Sequence, residues 1–410
     1  MKKIVFIVNG FYPDYSTNGI CIKKLVDLIK EENEIHIISQ FSDWHSKEYE
    51  MFEGIHIHRV ETREIIVRKW INKNRNKYTS PIMKKMLLLL NQGVRFYYWF
   101  KPLVQKYTIK KDLVRAYEDK LCSLKDIDVV YGVCFPMESL IAAAHYKTYN
   151  GKAKIGAVLF DKFSTNISQQ KNKWNMMSKF KRHIKLELEI FNHMDDILAT
   201  FDWKDYINKY HKEIKNVHYI EIPALKTFSD LEESLYEYCY LGMVDKNIRP
   251  VTETLKVLSL LSHKEVQFSF GVKGNLYQEV KSFCLNHEGF IFYGTLPLEK
   301  SYEIQRKCKG LISIGNTDVT QTPSKIFEYI CTGKPIVHFF YDKHDRCIEL
   351  LKRYGNSICI DLNHYDANDI SKLETFISKS HMIDNSEIKN IFKEADPSFT
   401  AQLILNFIMA

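Results

Sequence analysis

The chain has 410 residues, of which 45% are hydrophobic and 26% are charged, with a formal net charge of +8. This length exceeds what a single hydrophobic core usually supports, so two domains are expected. The composition is ordinary for a soluble globular protein. No window approaches the roughly 18 uninterrupted apolar residues that a membrane-spanning helix needs, which favours a soluble or peripheral protein.

The cysteine pattern and the first residues bear on the cellular compartment. Nine cysteines are scattered without a C-x-x-C pair and without histidines at zinc-ligand spacing. This pattern argues against a zinc site and for reduced thiols in the cytosol. The apolar run near the N-terminus ends after five residues, too short for the apolar region of a secretory signal peptide.

The N-terminal half begins with a βαβ pattern. Apolar runs at residues 4–8, 34–39 and 54–60 predict strands, and the spacing of residues 22, 25, 26 and 29 predicts a helix after the loop at residues 9–19. Such a first loop lies where doubly wound sheets bind ligands. The G-x-G-x-x-G fingerprint is absent, so nothing here supports an NAD site.

Residues 61–120 form an unusual basic and aromatic segment. Thirteen lysines and arginines but only one acidic residue, Glu64, lie between Arg63 and Lys111, a local charge of +12 that leaves −4 for the rest. Basic residues interleaved with Phe96, Tyr97, Tyr98, Trp99 and Phe100 favour a helix on an anionic membrane surface. The alternatives are a helical insertion that packs its aromatic side chains inside, and a single-stranded nucleic-acid site, for which no recognised binding module is present.

The pattern of alternating strands and helices continues to the end of the first half. Strands are predicted at residues 126–134, 154–160, 196–200 and 217–223, and helices at 136–149, 179–194 and 203–210. Asp161 follows a strand at its carboxyl end, where a carboxylate can steer or deprotonate a hydroxyl group. The alternative, which the residues alone favour slightly, is that Asp161 is an ordinary loop or N-cap residue. Residues 224–235 show no periodicity and read as a linker.

The second half repeats the pattern and ends in an informative segment. Strands are predicted at residues 237–244, 265–271, 289–293, 310–314, 335–339 and, at an edge, 357–361, and helices around 255–261 and at 298–307, 367–378 and 385–408. Between residues 320 and 337, Pro323 suits a first helical turn and Gly333 a helix end. The free N–H groups of residues 322–325 would then favour an anion, beside the charge of Lys325. Glu328, one turn further on, can bind a pair of hydroxyl groups such as a ribose diol.

The run P-S-K-I-F-E-Y-I-C-T-G-K-P-I-V, residues 323–337, resembles the donor-site segment of GT-B glycosyltransferases, in particular the retaining group GT4. The resemblance implies that Glu328 binds the ribose and that Gly333, Pro335 and Ile336 form the ending that follows it. The family has an E-x7-E motif, and Thr320 stands in this chain where its first glutamate is expected.

The resemblance also implies a donor site built from several loops. Arg249 and Lys325 would neutralise the leaving diphosphate, and the backbone at Gly19 would approach it. The loop that begins at Lys273 can reach a phosphate or a base edge, and the backbone of the Gly294–Leu296 loop would read the base. The complete set of implied donor contacts is Gly19, Arg249, Lys273, Gly294, Leu296, Thr320, Thr322, Ser324, Lys325 and Glu328, with Asp161 on the catalytic side of the acceptor.

These observations predict an α/β protein of the GT-B fold, with two Rossmann-like doubly wound domains facing across a cleft. The expected divisions are an acceptor domain at 1–223 with the insertion at 61–120, a linker at 224–235, a donor domain at 236–382, and C-terminal helices at 383–410 that cross back to the first domain.

The expected activity is transfer of a sugar from a nucleoside diphosphate, with UDP favoured, to a hydroxyl group of a saccharide acceptor. The expected acceptor is lipid-linked, as in bacterial surface-polysaccharide synthesis. Retention of configuration is implied, and no metal, other cofactor or nucleic acid is required. The basic segment at 63–111 places the protein in the cytoplasm, peripheral at the inner membrane face. The alternatives are an inactive GT-B subunit that binds a membrane partner, and a nucleotide-sugar epimerase or a phosphorylase of the same fold.

Overall fold

The structure is a computed structural model that describes residues 1–41, 47–225, 231, 237–261, 266–317, 319, 322–323 and 325–410. It divides into two compact units. The first comprises Met1–Pro223 together with Pro397–Ala410, and the second comprises Ala224–Asp396.

The first unit is built on a sheet of eight strands in the order β3-β4-β2-β1-β5-β6-β7-β8. These strands are β1 (Lys2–Val8), β2 (Asn33–Gln40), β3 (Tyr49–Phe52), β4 (Ile55–Val60), β5 (Val129–Cys134), β6 (Lys154–Leu159), β7 (Asp196–Thr200) and β8 (Val217–Ile220). All neighbours are parallel except β3, which pairs antiparallel with β4. The sequence did not predict β3, because its four residues contain no continuous apolar run.

Helices cover both faces of this sheet. They are α1 (Thr17–Ile29), α2 (Arg63–Lys77), α3 (Pro81–Val104), α4 (Lys111–Ser123), α5 (Met137–Tyr149), α6 (Ile167–Gln170), α7 (Lys173–Phe191) and α8 (Lys204–Tyr210). Because the strands are buried on both faces, their residues divide alternately between two apolar cores. One core contains Val5 and Ile7, and the other contains Ile4 and Phe6.

The predicted basic and aromatic insertion forms the helical pair α2 and α3, followed by α4. Helix α3 buries only Leu87, Asn91 and Pro102, a narrow stripe at helical spacing. Most of its other apolar side chains are exposed, including Ile82 (73%), Phe96 (63%) and Val104 (68%). Tyr97, Trp99 and Phe100 are exposed as well, and Tyr98 is half-buried. These aromatic side chains do not pack inside, which contradicts the alternative of a plain helical insertion. Among the described helices, none is both long enough and apolar enough to span a bilayer.

The second unit contains a sheet of six parallel strands in the order β11-β10-β9-β12-β13-β14. These strands are β9 (Glu237–Met243), β10 (Gln267–Lys273), β11 (Phe290–Gly294), β12 (Gly310–Ile314), β13 (Ile336–Phe340) and β14 (Ser357–Asp361). The chain runs outward from β9 to β11 and then returns to β12 beside β9. The direction of strand order reverses at that point, as in doubly wound folds. The prediction of β14 as an edge strand is confirmed.

The helices of the second unit are α9 (Thr252–Ser259), α10 (Tyr277–Asn286), α11 (Leu298–Lys307), α12 (Lys325–Ile330), α13 (Arg346–Tyr354), α14 (Ala367–Lys379) and α15 (Asn385–Ile391). The sequence did not predict α10 or α13. The signal for α13 was present, since the Asp345 carboxylate accepts from the N–H of Cys347 at its start and Gly355 takes φ +78° at its end.

The C-terminal helix α16 (Pro397–Met409) belongs to the first unit. It packs against α1, and its residues Ala401, Ile404 and Ile408 join the same core as Ile4. Lys154 Nζ also donates a hydrogen bond of 2.9 Å to the carbonyl of Phe407. The segment predicted as one helical region at residues 385–408 is therefore divided, with α15 in the second unit and α16 in the first.

Candidate functional site

Arg249 lies at the point in the second sheet where the strand order reverses. A tight turn after β9 holds its backbone, because the N–H of Arg249 bonds to the carbonyl of Asp245 at 2.8 Å and the N–H of Asp245 bonds back at 3.1 Å. The guanidinium donates two hydrogen bonds, of 3.1 and 2.6 Å, to Oδ1 of Asn316, which follows β12. The two strands that flank the reversal therefore each contribute one partner to this pair.

Two lysines lie near Arg249 at the same edge of the sheet. Burial lowers the pKa of Lys325, and the charges of Lys273 and Arg249 lower it further, while Glu328 opposes the shift. Each of these residues follows a different strand or begins the helix after one. Three cations and one carboxylate of the second unit therefore converge, which is an arrangement suited to a multiply charged anion.

Glu328 presents an unsatisfied oxygen within this group. Its Oε2 is buried and has no hydrogen-bond partner among the described residues. Tyr302 lies close enough that burial, and then the charge of Glu328, raise the pKa of its phenol to about 12. A buried carboxylate oxygen without a donor is costly, so this oxygen is suited to accept a hydrogen bond from a ligand hydroxyl.

Helix α12 holds Lys325 and Glu328 but is shorter than the sequence predicted. It begins at Lys325 and has six residues. Pro323 precedes it instead of occupying its first turn, and the Pro323 carbonyl accepts from the N–H of Ile326 at 3.1 Å. A helix of six residues contributes little dipole, so an anion would be held mainly by the cationic side chains and not by the helix N-terminus.

The position of α12 against the sheet is fixed by Tyr329. Its hydroxyl donates to the carbonyl of Leu241 at 3.2 Å and accepts from the N–H of the same residue at 3.3 Å. The chain turns after the helix at Gly333, where φ is +68°, as the sequence predicted for a helix end. These contacts fix α12, and with it Lys325 and Glu328, relative to β9.

The loops after β10 and β11 lie against each other. At Gly294 φ is +69°, and a Cβ added at Gly271 would lie 2.7 Å from Cδ1 of Leu296. Leu296 therefore packs on β10, while Lys273 at the end of that strand is exposed. Gly274, with φ +122°, would place a Cβ 2.0 Å from the carbonyl oxygen of Val244. Close backbone packing thus brings the predicted residues Lys273, Gly294 and Leu296 to the same edge.

The remaining predicted donor residues fall into two groups. Thr322 is half-buried just before α12, whereas Thr320 and Ser324 lie outside the described residues. Gly19 and Asp161 belong to the first unit.

Gly19 is the third residue of α1, not part of the preceding loop as predicted. A Cβ there would lie 2.0 Å from the carbonyl oxygen of Gly10, so packing by itself requires a glycine. Its N–H donates to the side chain of Ser16 at 3.0 Å, which caps the helix.

Asp161 follows β6 and is half-buried. Its carbonyl oxygen accepts from the thiol of Cys134 at 3.3 Å. Burial, and then the charge of Asp161, raise the pKa of that thiol. The thiol is therefore a protonated donor and not a nucleophile at neutral pH.

A cavity of about 170 Å³ in the first unit was not predicted from the sequence. It lies at the carboxyl ends of β1 and β5, where the strand order of the first sheet reverses. The residues around it come from six separate segments: Asn9, Gln40, Pro102, Thr108, Lys110, Leu113, Phe135, Pro136, Glu138, Phe163, Gln169 and Lys171. No local motif signals such a site, because only tertiary packing brings these segments together.

Among the polar groups of the cavity, Glu138 has a backbone hydrogen-bond donor, whereas the side-chain oxygen of Gln169 has none among the described residues. Glu138 Oε1 accepts from the N–H of Lys110 at 2.7 Å, and burial raises the pKa of this carboxyl. Lys171 adopts φ +72°, and its pKa is lowered by burial and by Lys110. Gln169 is buried, and its Oε1 has no partner among the described residues. Amides, a carboxyl, lysines and aromatic rings around one small cavity suit a sugar ring.

A polar ladder on α7 supports the cavity. Four buried polar residues follow one another at four-residue intervals: Asn175, Lys179, His183 and Glu187. Lys179 Nζ donates to the carbonyls of Pro102 at 2.7 Å and Leu103 at 3.0 Å, and Nε2 of His183 accepts from the N–H of Thr108 at 3.2 Å. The regular spacing was visible in the sequence, which predicted only an amphipathic helix.

The two ends of the ladder make further buried bonds. Asn175 Nδ2 donates to the hydroxyl of Thr108 at 2.9 Å. Glu187 Oε1 accepts from the N–H and the hydroxyl of Ser164, and its Oε2 accepts from the hydroxyl of Tyr206 at 2.6 Å. The ladder therefore fixes the connection between α3 and α4, which contributes residues to the cavity wall.

No protein-family model matches the sequence, and no curated protein matches it in sequence. Solved structures are nevertheless similar over the whole chain. Sucrose-phosphate synthase from Thermosynechococcus elongatus superposes with a TM-score of 0.64 at 10% identity, with 100% of both chains covered. The UDP-forming alpha,alpha-trehalose-phosphate synthase from Burkholderia xenovorans gives 0.63 at 9% identity, again with 100% of both chains covered.

A third similar structure is WaaG, described as a glycosyltransferase involved in lipopolysaccharide biosynthesis. It gives a TM-score of 0.55 at 9% identity and covers 98% of this chain and 99% of its own. The chain has the GT-B fold. At these identities the similarity establishes the fold and does not assign a role to any individual residue.

Proposed function

We propose that the protein is a retaining glycosyltransferase that moves a sugar from a UDP-sugar to a hydroxyl group of a lipid-linked saccharide. The observation that carries this proposal is the group of three cations, Arg249, Lys273 and Lys325, beside the unsatisfied carboxylate oxygen of Glu328. This group lies at the carboxyl ends of the strands, where a doubly wound sheet binds its ligand.

The cations act on the leaving diphosphate. As the bond between the sugar and the diphosphate breaks, negative charge accumulates on the diphosphate oxygens. Arg249, already oriented by Asn316, and Lys325 donate to these oxygens and stabilise the charge without a bound metal. Lys273 contributes a third positive charge from the end of β10.

The nucleoside is held on the other side of the group. Glu328 Oε2 accepts from the ribose hydroxyls, which satisfies an oxygen that otherwise lacks a donor. The backbone between Gly294 and Leu296 contacts the base. Thr320, Thr322 and Ser324 complete the donor contacts, as the resemblance to GT4 implies. A UDP donor is supported by the similar trehalose-phosphate synthase, which is UDP-forming.

The acceptor belongs to the first unit. Its cavity combines a buried carboxyl, lysines, an amide oxygen without a donor and aromatic side chains, which suits one sugar residue of the acceptor. Asp161 is proposed to steer the attacking hydroxyl. The similarity to WaaG, a glycosyltransferase of lipopolysaccharide biosynthesis, supports a role in bacterial surface polysaccharides.

The lipid part of the acceptor is proposed to lie at an anionic membrane. The α2–α3 surface, defined as the exposed and half-exposed side chains of Arg63–Lys77 and Pro81–Val104, combines apolar and aromatic groups with ten of the thirteen basic residues of the segment. Exposed aromatic and aliphatic side chains beside basic residues are typical of helices in the membrane interface. The protein would therefore act peripherally, at the cytoplasmic face of the inner membrane.

The donor assignment is tested by calorimetry with UDP, GDP, ADP and their sugar-linked forms. The wild-type protein is expected to bind UDP, and Glu328→Gln is expected to bind it roughly tenfold to a hundredfold more weakly. This range corresponds to the loss of a hydrogen bond to a charged group. Uridine retains the ribose but lacks the diphosphate, so the wild-type protein should bind uridine more weakly than UDP by a similar factor.

Glu253→Gln is the matched control, because Glu253 is a half-exposed carboxylate at the start of α9 in the same unit and pairs with Lys256. It should leave UDP affinity unchanged. If the wild-type protein binds none of these nucleotides, it is not a nucleotide-sugar enzyme, and the alternative of an inactive GT-B subunit is favoured. If Glu328→Gln binds UDP like the wild type, Glu328 does not hold the ribose.

A further inference from the structure

A histidine cluster lies near the amino ends of β2 and β4 in the first unit. His36 and His56 are directly opposite in the parallel register of these strands, and their rings stack with centroids 4.5 Å apart. Glu34 precedes His36 by two residues and so shares its face of the sheet. Glu34 Oε1 lies 2.8 Å from Nε2 of His36.

The three residues bring together atoms that bind metals. One ligand atom from each of Glu34, His36 and His56 lies within 4.8 Å of the other two. We propose that Glu34, His36 and His56 bind one divalent transition-metal ion, with Zn²⁺ as the intended occupant. Two imidazoles and one carboxylate, with a position left for water, form a ligand set that Zn²⁺ uses in proteins.

Two hydrogen bonds identify the coordinating nitrogens and orient the rings. Nδ1 of His36 is 2.9 Å from Nε2 of His58, and Nδ1 of His56 is 3.0 Å from the hydroxyl of Tyr49. Each Nδ1 therefore has a partner outside the trio, and Nε2 is the metal ligand. Metal binding requires the tautomer in which Nδ1 of His36 carries the proton and donates to His58. Such outer partners commonly hold metal-binding imidazoles in place.

Lys3 is the one cation near the carboxylate of Glu34 among the described residues, with Nζ 3.4 Å from Oε1. The metal would replace this ammonium on Oε1. Lys3 keeps a second partner, because its Nζ also donates to the carbonyl of Lys125 at 3.1 Å. Glu34 and His56 are half-exposed, which leaves an entry path for the ion.

The site would join two neighbouring strands at the side of the sheet that ends in the β3–β4 hairpin. A metal that binds the folded chain and not the unfolded one raises stability by mass action. Its predicted role is structural and independent of the proposed transferase activity, because its ligands lie near the amino ends of β2 and β4, whereas the cavity lies at the carboxyl ends of β1 and β5.

The test is a titration of chelator-treated full-length protein with Co²⁺, followed by visible absorption, and with Zn²⁺, followed by calorimetry and thermal unfolding. A Cys122→Ser background removes the exposed cysteine. One ion per chain is expected, without the charge-transfer band of thiolate ligands. Zn²⁺ should raise the melting temperature.

His56→Asn and Glu34→Gln are each expected to weaken binding at least tenfold and to abolish the rise in melting temperature. His145→Asn is the matched control, because His145 also pairs with a glutamate, Glu118, on the surface of the first unit. The control should bind like the wild type. The proposal is overturned if the wild-type protein shows no saturable binding, if His56→Asn binds with unchanged affinity, or if His145→Asn loses as much as His56→Asn.

Discussion

Lys325 is the residue in which burial and charge conflict most directly. Its ammonium is partly desolvated, and two other cations, Arg249 and Lys273, lie near it. Each of these effects disfavours the charged form, and the charge of Glu328 is the largest effect that opposes them. A bound anion would remove the conflict, since it would place opposite charge among the three cations.

Replacing this lysine separates its binding role from its structural one. Lys325→Met keeps the side-chain volume and removes a buried charge, so the melting temperature should stay unchanged or rise. UDP affinity should fall by at least roughly tenfold, because a charge-assisted hydrogen bond to the diphosphate is lost. Uridine, which has no phosphate, should bind as before.

Lys246→Met provides the control, since Lys246 is an exposed lysine in the turn after β9. The affinities of both variants for UDP and for uridine are measured by calorimetry. Equal affinity of Lys325→Met and wild type for UDP would show that Lys325 does not contact the diphosphate.

At the scale of elements, α7 connects the protein core to the cavity of the first unit. Its polar ladder reaches the connection after α3 through Lys179 and His183. Burial, then the charges of Lys179 and Arg182, lower the pKa of His183 to about 4. Tyr107 and Phe163 also contact its ring but carry no charge at neutral pH. His183 is therefore neutral in the folded protein near pH 7.

The pH dependence of stability follows from this shift. The unfolded chain protonates His183 near its ordinary pKa of about 6.5, whereas the folded chain does so only near 4. Between these values the unfolded state binds more protons, so the stability that neutral His183 contributes above pH 6.5 is lost as the pH falls towards 4. At pH 5 we expect a loss of roughly 1–2 kcal/mol from this group.

Urea unfolding of wild type and His183→Gln at pH 7 and pH 5 measures the effect. The variant should be less stable at pH 7 but should lose less stability on acidification. His145→Gln, an exposed histidine of the same unit, should keep the wild-type pH dependence. Identical slopes for wild type and His183→Gln would contradict the assignment.

At the scale of the whole molecule, the α2–α3 surface exposes many apolar and aromatic side chains to solvent. A large exposed apolar area on a soluble protein usually marks an interaction site. Lys101 Nζ lies 5.8 Å from the ring centres of both Tyr97 and Tyr98, so basic and aromatic groups are interleaved as the sequence predicted. An anionic lipid surface matches both components.

Liposome flotation tests this interpretation. The protein should float with anionic vesicles at low salt, and higher salt should weaken the association. Replacing Arg95 and Lys101 of the α2–α3 surface, together with the exposed Lys106 that follows α3, with glutamine should weaken the association roughly a hundredfold, since each basic residue near the membrane contributes about 1 kcal/mol. In the control variant, glutamine replaces Lys256, Lys300 and Lys307, three exposed lysines of the second unit. This variant should float with anionic vesicles like the wild type. Equal flotation with neutral vesicles, or equal loss in the control, would contradict an electrostatic membrane surface.

Much of the fold was predictable because the strands are buried on both faces and read as continuous apolar runs. The runs at residues 4–8 and 310–314 lie inside strands of the structure, which extend over Lys2–Val8 and Gly310–Ile314. The edge strand β3 was missed because its four residues contain no continuous apolar run. Helix α13 was missed although its N-cap Asp345, its apolar face and the closing Gly355 are all visible in the sequence. The boundaries of α12 were also wrong, because Pro323 permits a helix start without requiring one.

The sequence by itself determined the alternation of strands and helices, the doubly wound class and the charge of the α2–α3 surface. These depend on local periodicity and composition, which survive without knowledge of long-range contacts. Only the tertiary structure decided which residues meet: the pairing of Arg249 with Asn316, the cavity of the first unit, and the cluster of Glu34, His36 and His56. These groups join segments that are distant along the chain, and their geometry arises from strand order and packing, which no local pattern encodes.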